Sequence, residues 1–245
     1  MDYKKYKLSV KEKLIVVMQT IIVAFIVSYL FFDSVIALIF IPVIFAIIYK
    51  KKKLSGLQNQ KTELTKQFME ALKNVSTALL AGYSVENAWK EAQKEVGHLY
   101  GKDSYIHKEL DEMNRLISMN IPVEEILQKF AERSGVEEIN TFAEIFAFAK
   151  RSRGNFGQII ETTTYRMWEK FETLREIQVS VASKKMEQNI MNVIPIGMLA
   201  YLRIASGDYM KVMYGNAFGV IFMMLCLIMY VFVIFLAEKM LDINI

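Results

Sequence analysis

The chain has 245 residues, 53% of them hydrophobic, and a mean hydropathy of +0.25, yet it carries 30 basic and 26 acidic side chains. Such a mixture fits one chain only if apolar and charged residues are segregated along it, which excludes a single globule of ordinary surface and core. The lone Cys226 excludes a disulfide framework, and the net charge of +4 has to be judged by where the lysines sit.

In chain order, Lys4, Lys5, Lys7, Lys11 and Lys13 precede an uncharged run from Leu14 to Phe32. A second uncharged run, Val35 to Tyr49, is followed by Lys50 to Lys53. A spanning helix needs roughly 20 apolar residues. The first run meets this, and the second borrows length from lysine stems that reach back to the interface. Lysines on both flanks place both sides of this hairpin in the cytosol, with Asp33 and Ser34 at its external tip. The first run lacks a small-residue cleavage site and leads straight into another span, so it reads as an anchor rather than a signal peptide. This use of the lysines argues against a nucleic-acid arm.

Between Lys50 and Met191 lie 22 basic and 20 acidic residues, with helical periodicity throughout. A first helix is predicted from about Thr62 to Leu80, with Leu64, Phe68, Ala71, Leu72, Val75 and Leu79 on one stripe. It ends at Gly82, and Ser84 caps a second helix, Val85 to Val96, broken by the polar patch Gly97 to Asp103. A third covers Ser104 to Met119. Pro122 sits in the first turn of a fourth, which ends near Gly135. A fifth runs from Val136 to Lys150, and Asn155 caps a long last helix whose seam runs from Phe156 to Val181. The turns at Gly82-Tyr83-Ser84-Val85, Asn120-Ile121-Pro122-Val123 and Arg153-Gly154-Asn155-Phe156 share one register. A third apolar run, Ile190 to Ala205, contains Asn192, Pro195 and Arg203. A fourth, Ala217 to Ala237, is uncharged, and the loop between them, Ser206 to Asn216, is external.

The predicted fold is therefore all-α. Two N-terminal and two C-terminal transmembrane helices flank a cytosolic six-helix bundle, with domains at 1–53, 54–189 and 190–245 and both termini cytosolic. No catalytic constellation is present in the sequence. His98 and His107 share no helix face and read as solvated, and Gly97 to Asp103 has the wrong spacing and an acid where a phosphate loop needs Ser or Thr. Neither a metal nor another cofactor is expected. Lys150, Arg151 and Arg153 gather at one turn, while Glu124, Glu125, Glu137 and Glu138 gather at two helix starts. The helix dipole accounts for the carboxylates. Charges at bundle ends also suit docking, because they speed association and reject wrong partners.

Taken in order, Leu79-Leu80-Ala81-Gly82-Tyr83-Ser84-Val85, Asn120-Ile121-Pro122-Val123, Phe148-Ala149-Lys150 leading into Gly154-Asn155-Phe156, and Pro195 opening the third span make the chain resemble the type II secretion F-domain family. Asp208-Tyr209-Met210, Tyr214-Gly215-Asn216 and Glu238-Lys239-Met240-Leu241 are similar to the TadB-type branch that serves Tad/Flp pili, as is the single copy of the domain. The resemblance implies a non-enzymatic platform protein of the bacterial inner membrane, working in an oligomer. Its implied partners are a cytosolic hexameric secretion ATPase, a second F-domain platform protein, pilin subunits and membrane lipid, with no nucleic acid. Within it, Gly82, Ser84, Pro122, Gly154, Asn155 and Pro195 stand at structural turns. The alternative is a membrane-anchored regulator or adaptor with a helical docking domain. A sensor, however, needs more external chain than two short loops.

Overall fold

The computed structural model describes residues 3, 6, 8–32, 41–152, 155–214 and 216–241, except the side chains of 208, 209, 211, 212, 217 and 241. Among these residues all regular structure is helical: α1 (Val10–Val27) passing into a π-helical turn (Ser28–Phe32), α2 (Ile41–Leu80), α3 (Val85–Tyr100), α4 (Tyr105–Ser118), α5 (Val123–Ser134), α6 (Glu137–Arg151), α7 (Phe156–Ala205), α8 (Gly207–Tyr214) and α9 (Ala217–Leu241). The chain divides into two compact units, Met1–Lys7 with Lys53–Thr173, and Leu8–Lys52 with Leu174–Ile245. The division in α7 falls after Thr173.

The charged unit is built from helices whose apolar residues recur every three or four positions, so each buries one stripe. Leu64, Phe68, Leu72 and Val75 of α2, Trp89 of α3, Leu110 of α4, Phe130 of α5, Phe142 and Phe146 of α6 and Ile160 of α7 share one core. Aromatic edges join four of these helices. Phe68 meets Phe130 at 5.9 Å and Phe142 at 5.7 Å, and Phe146 meets Phe156 at 5.3 Å, each edge to face.

Successive helices run antiparallel. Asn114 of α4 donates to the Trp89 carbonyl and to Gln93 of α3, Arg133 of α5 reaches Glu109 of α4, Lys150 of α6 pairs with Glu124 of α5, and Lys170 of α7 with Glu138 of α6. The residues after α2 and α4 build the same reversal. The Tyr83 amide donates to the Ala78 carbonyl and the Gly82 amide to that of Leu79. The Ile121 amide likewise donates to Leu116 and that of Asn120 to Ile117. This double closure satisfies helix-end carbonyls and needs one residue at positive φ, supplied by Gly82 at 86° and Asn120 at 61°. The next helix starts two residues on. Ser84 accepts from the Asn87 amide at 3.3 Å, and Pro122 takes the cap position of α5 rather than its first turn.

Two expectations about helix ends are corrected here. The helix expected from Thr62 begins at Ile41, because Lys50 to Lys53 are good helix formers and nothing interrupts them. The second helix does not break at Gly97 but continues to Tyr100. Gly97 provides close approach instead, since a Cβ there would lie 2.9 Å from the His107 ring. Ser104 makes no side-chain cap for α4; the buried Gln67 of α2 accepts from the Ile106 amide at 3.1 Å.

In the second unit, Leu30, Phe31, Phe32 and Met223 form a core against which Leu199, Met213, Tyr214 and Leu227 pack. The segments 10–32 and 218–240 are long and apolar enough to cross a membrane. Phe218, Leu225, Ile228, Val231 and Phe235 of α9 are exposed along the side of the helix away from Met223 and Leu227, and an apolar face of this length is suited to lipid and unsuited to water. Pro195 is not at a turn. It lies inside α7, where its missing amide leaves the Met191 carbonyl without its usual helical donor. The segment read as an external loop carries α8, because Met213 and Tyr214 find the apolar core. The expected tip Asp33-Ser34 lies outside the described residues.

The reversal geometry fixes a stability test. A Cβ on Gly82 meets nothing within 4 Å, so any cost there is backbone strain alone. Gly82→Ala is expected to cost about 1–2 kcal/mol and Gly82→Val more, whereas Asn120→Gly changes stability by less than about 1 kcal/mol. Thermal midpoints of the detergent-solubilised chain check this order.

Candidate functional site

The alternation of helices brings three reversals to one end of the charged unit: those after α2, after α4 and after α6. Lys66 of α2 lies over the Tyr100 ring at the far end of α3, which runs antiparallel to α4, and Gln67 meets the first turn of α4, so α2 and α4 run parallel. At this end, Leu80, Tyr83, Met119 and Phe148 are exposed, Phe148 at 66%. Four large apolar side chains in water at one end of a unit with a well-filled core make a surface suited to a partner.

The charges predicted to gather there do so in part. Lys150 Nζ donates to Glu124 Oε2 at 2.8 Å, joining the end of α6 to the start of α5. Arg151 lies beside this pair and donates from Nε to the Ala147 carbonyl at 3.1 Å. Glu125 is exposed in the first turn of α5. Burial works to raise the Glu124 carboxyl, but the Lys150 hydrogen bond, its own backbone amide and the charges of Lys150 and Arg151 outweigh it, and its pKa lies below the usual carboxylate value. Glu137 and Glu138 stand at the other end of α6, about 20 Å along its axis from Lys150, and so belong to a different surface. Asn155 Oδ1 accepts from the Gln158 amide at 3.4 Å at the start of α7; Arg153 and Gly154 lie outside the described residues.

The opposite end holds a constellation that periodicity did not single out. Tyr3, ahead of α1, is completely buried. Its hydroxyl donates to Glu109 Oε1 at 3.0 Å, and Arg133 Nη2 donates to Glu109 Oε2 at 2.7 Å. Glu109 is only 2% exposed. Tyr105 meets the Tyr3 ring edge-on at 6.1 Å. Burial pushes the Tyr3 phenol far up, and the charge and hydrogen bond of Glu109 push it further, so it remains a protonated donor. One signal was present in the sequence. Glu109 lies on the stripe of Ile106, Leu110, Met113 and Ile117, where a carboxylate needs partners.

In the apolar unit, the Arg203 guanidinium lies 3.7 Å from the Tyr29 ring centroid and 5.2 Å from that of Tyr214. The Tyr214 hydroxyl donates to the Leu30 carbonyl. Lys51 pairs with Glu238 at 2.5 Å. Among the described residues no group of three or more His, Cys, Asp or Glu side chains is placed to hold a metal. No family model matches the chain, nor does any curated protein or solved structure.

The Glu124 pair has a defined pH signature. A carboxyl whose folded pKa is depressed contributes stability above its unfolded pKa and loses it as pH falls through the folded value. Glu124→Gln is therefore expected to lower stability by about 0.2–1 kcal/mol at neutral pH, the difference vanishing in acid. Lys150→Met should remove most of it. Thermal midpoints measured across acid and neutral pH check both.

Proposed function

We propose that this protein is a non-enzymatic inner-membrane platform of a Tad or other type IV-like pilus, or of a type II secretion machine, coupling a cytosolic secretion ATPase to pilin extraction and assembly. In this reading α2 to α7 supply the cytosolic six-helix bundle, two transmembrane helices lie on each side of it in sequence, and both termini are cytosolic.

The observation that carries the reading is the paired reversal. The segments around Gly82 and Asn120, which bear the family resemblance, close their helices through the same hydrogen bonds and start the next helix two residues later. They stand at the end that carries exposed Leu80, Tyr83, Met119 and Phe148 beside Lys150 and Arg151. A surface that is apolar at its centre and charged at its margin suits docking to a protein.

The membrane half of the reading draws on the apolar unit. From Ala217 to Glu238 the rise along α9 is about 32 Å, close to the thickness of a bilayer core. The Lys51–Glu238 pair lies at one end of that length and the Arg203–Tyr29–Tyr214 cluster towards the other. Charged and tyrosine side chains at both ends of an apolar span match the two interfaces of a membrane. The Lys51 end is the one next to the charged unit in sequence, which agrees with a cytosolic bundle.

Two measurements test the proposal. In a Cys226→Ala background, single cysteines at Ser34 and Asp208 should label from outside intact cells, and one at Asp103 only after lysis. External labelling at Asp103 overturns the topology. The second test swaps a charge pair. Glu124→Lys with Lys150→Glu preserves the ion pair and should leave helical content unchanged, while co-purification of the secretion ATPase or the second platform protein weakens at least fivefold and piliation is lost. Wild-type association by the swapped protein moves the partner surface elsewhere.

A further inference from the structure

Helix α7 continues beyond the charged unit, and its part from Leu174 to Ala205 belongs to the apolar unit. One side of this stretch is occupied by the chain itself. Gln188 is half-buried, the Asn192 carbonyl accepts from the Tyr230 hydroxyl of α9, and Ile196 and Leu199 pack against the core around Met223. The opposite side carries Val179, Ser183, Met186, Ile190, Val193 and Gly197, which 3.6 residues per turn places on one stripe. All six are exposed, Val179 and Met186 each at 67%.

The spacing of the stripe alternates four and three without a break, which keeps a seam turned towards one neighbouring helix over successive turns. Contact with lipid needs no such register. The half of the stripe before Ile190 is set among Gln178, Lys184, Lys185, Glu187 and Gln188, a composition for water, in which the large side chains of Val179 and Met186 call for cover by protein. Gly197 points the same way. Glycine is a poor residue inside a helix, and a Cβ there would meet nothing within 4 Å, so no described part of the chain requires its absence. A second helix approaching closely from outside does require it. Beside the stripe before Ile190 stand Ser180, Ala182, Glu187 and Asn189, and the one charge among them, Glu187, is neutralised by Lys184 of its own chain at 3.0 Å. Two copies of this face therefore meet without like-charge repulsion. From Val179 to Gly197 the rise is about 27 Å, and two helices about 10 Å wide packed along it cover on the order of 1,000 Å² of combined surface, where specific interfaces begin.

We propose that two copies of this chain pair through α7, seam to seam and parallel, with Ser183, Met186, Ile190 and Val193 each meeting its own counterpart and Gly197 letting the backbones approach. A two-fold axis along the helices brings the same patch of each copy together, and a nearly uncharged face in a single register is complementary to itself. The seam is a property of the chain; only its parallel direction rests on the membrane reading, since copies inserted in one membrane point the same way.

Single cysteines along α7 of the full-length protein, in a Cys226→Ala background, test the pairing by the yield of disulfide-linked dimer after oxidation in native membranes. Ser183→Cys, Met186→Cys, Ile190→Cys and Val193→Cys are expected to crosslink at least fivefold more than Lys185→Cys, Gln188→Cys and Asn192→Cys on the other side of the helix. Adding Gly197→Leu should lower the Val193→Cys yield at least fivefold at unchanged membrane insertion, and Gly197→Ala should lower it less. A flat profile, or one that peaks on the Gln188 side, overturns the proposal, and the membrane reading is then judged separately by the labelling of cysteines at Asp103 and Asp208. An unchanged yield with leucine at position 197 overturns the close approach. Crosslinking only between mixed Met186→Cys and Ile190→Cys chains, with neither reactive alone, would mean antiparallel seams and would overturn the shared orientation together with the membrane reading.

Discussion

The charged unit depends on a column of phenylalanines. Phe68 of α2 lies edge-on to Phe130 of α5 and to Phe142 of α6, and Phe146 of α6 is edge-on to Phe156 at the start of α7. These rings bring together elements from nearly 90 residues of chain. The first and last helices of the unit are thereby pinned to the α5–α6 pair between them. Helices α3 and α4 join through Trp89, Leu110 and Met113, with Gln67 of α2 completing the hydrogen bonding at the start of α4. An antiparallel arrangement around such a column needs short reversals, and the positive φ at Gly82 and Asn120 supplies two of them.

The two ends of the unit have different chemistry for the same reason. Helices of similar length that alternate in direction collect three of their reversals at one end, where the exposed apolar side chains and the Glu124–Lys150 pair lie. The other end receives the chain's own N-terminal segment, and a buried carboxylate there is satisfied by a phenol and a guanidinium from distant parts of the sequence.

In the apolar unit the outward-facing side chains of α9 are exposed among the described residues, while the small core around Met223 gathers the π-helical turn after α1 and the neighbouring part of α7. Arg203 illustrates how a charge is tolerated in such surroundings. Its planar guanidinium is covered by the faces of Tyr29 and Tyr214, an arrangement an ammonium group would satisfy less well.

The segregation of apolar from charged residues, the all-helical character and most helix ends were legible in the sequence, because they follow from local composition and from single residues such as Gly82, Ser84 and Asn120. The misplaced ends have local reasons of another kind. Gly97 resembles a breaker until the His107 ring packed against it is known, and Pro195 resembles a helix start although α7 continues through it. The candidate site was half legible: the charges were identifiable as clusters, but the joining of Lys150 to Glu124 and the separation of Glu137 and Glu138 depend on how α5 and α6 reverse. Only the tertiary structure decided that Tyr3 is buried against Glu109, 106 residues away, and that Arg203 lies between two tyrosines. Such contacts leave no periodic trace, since their energy comes from burial shared between segments that the sequence holds far apart.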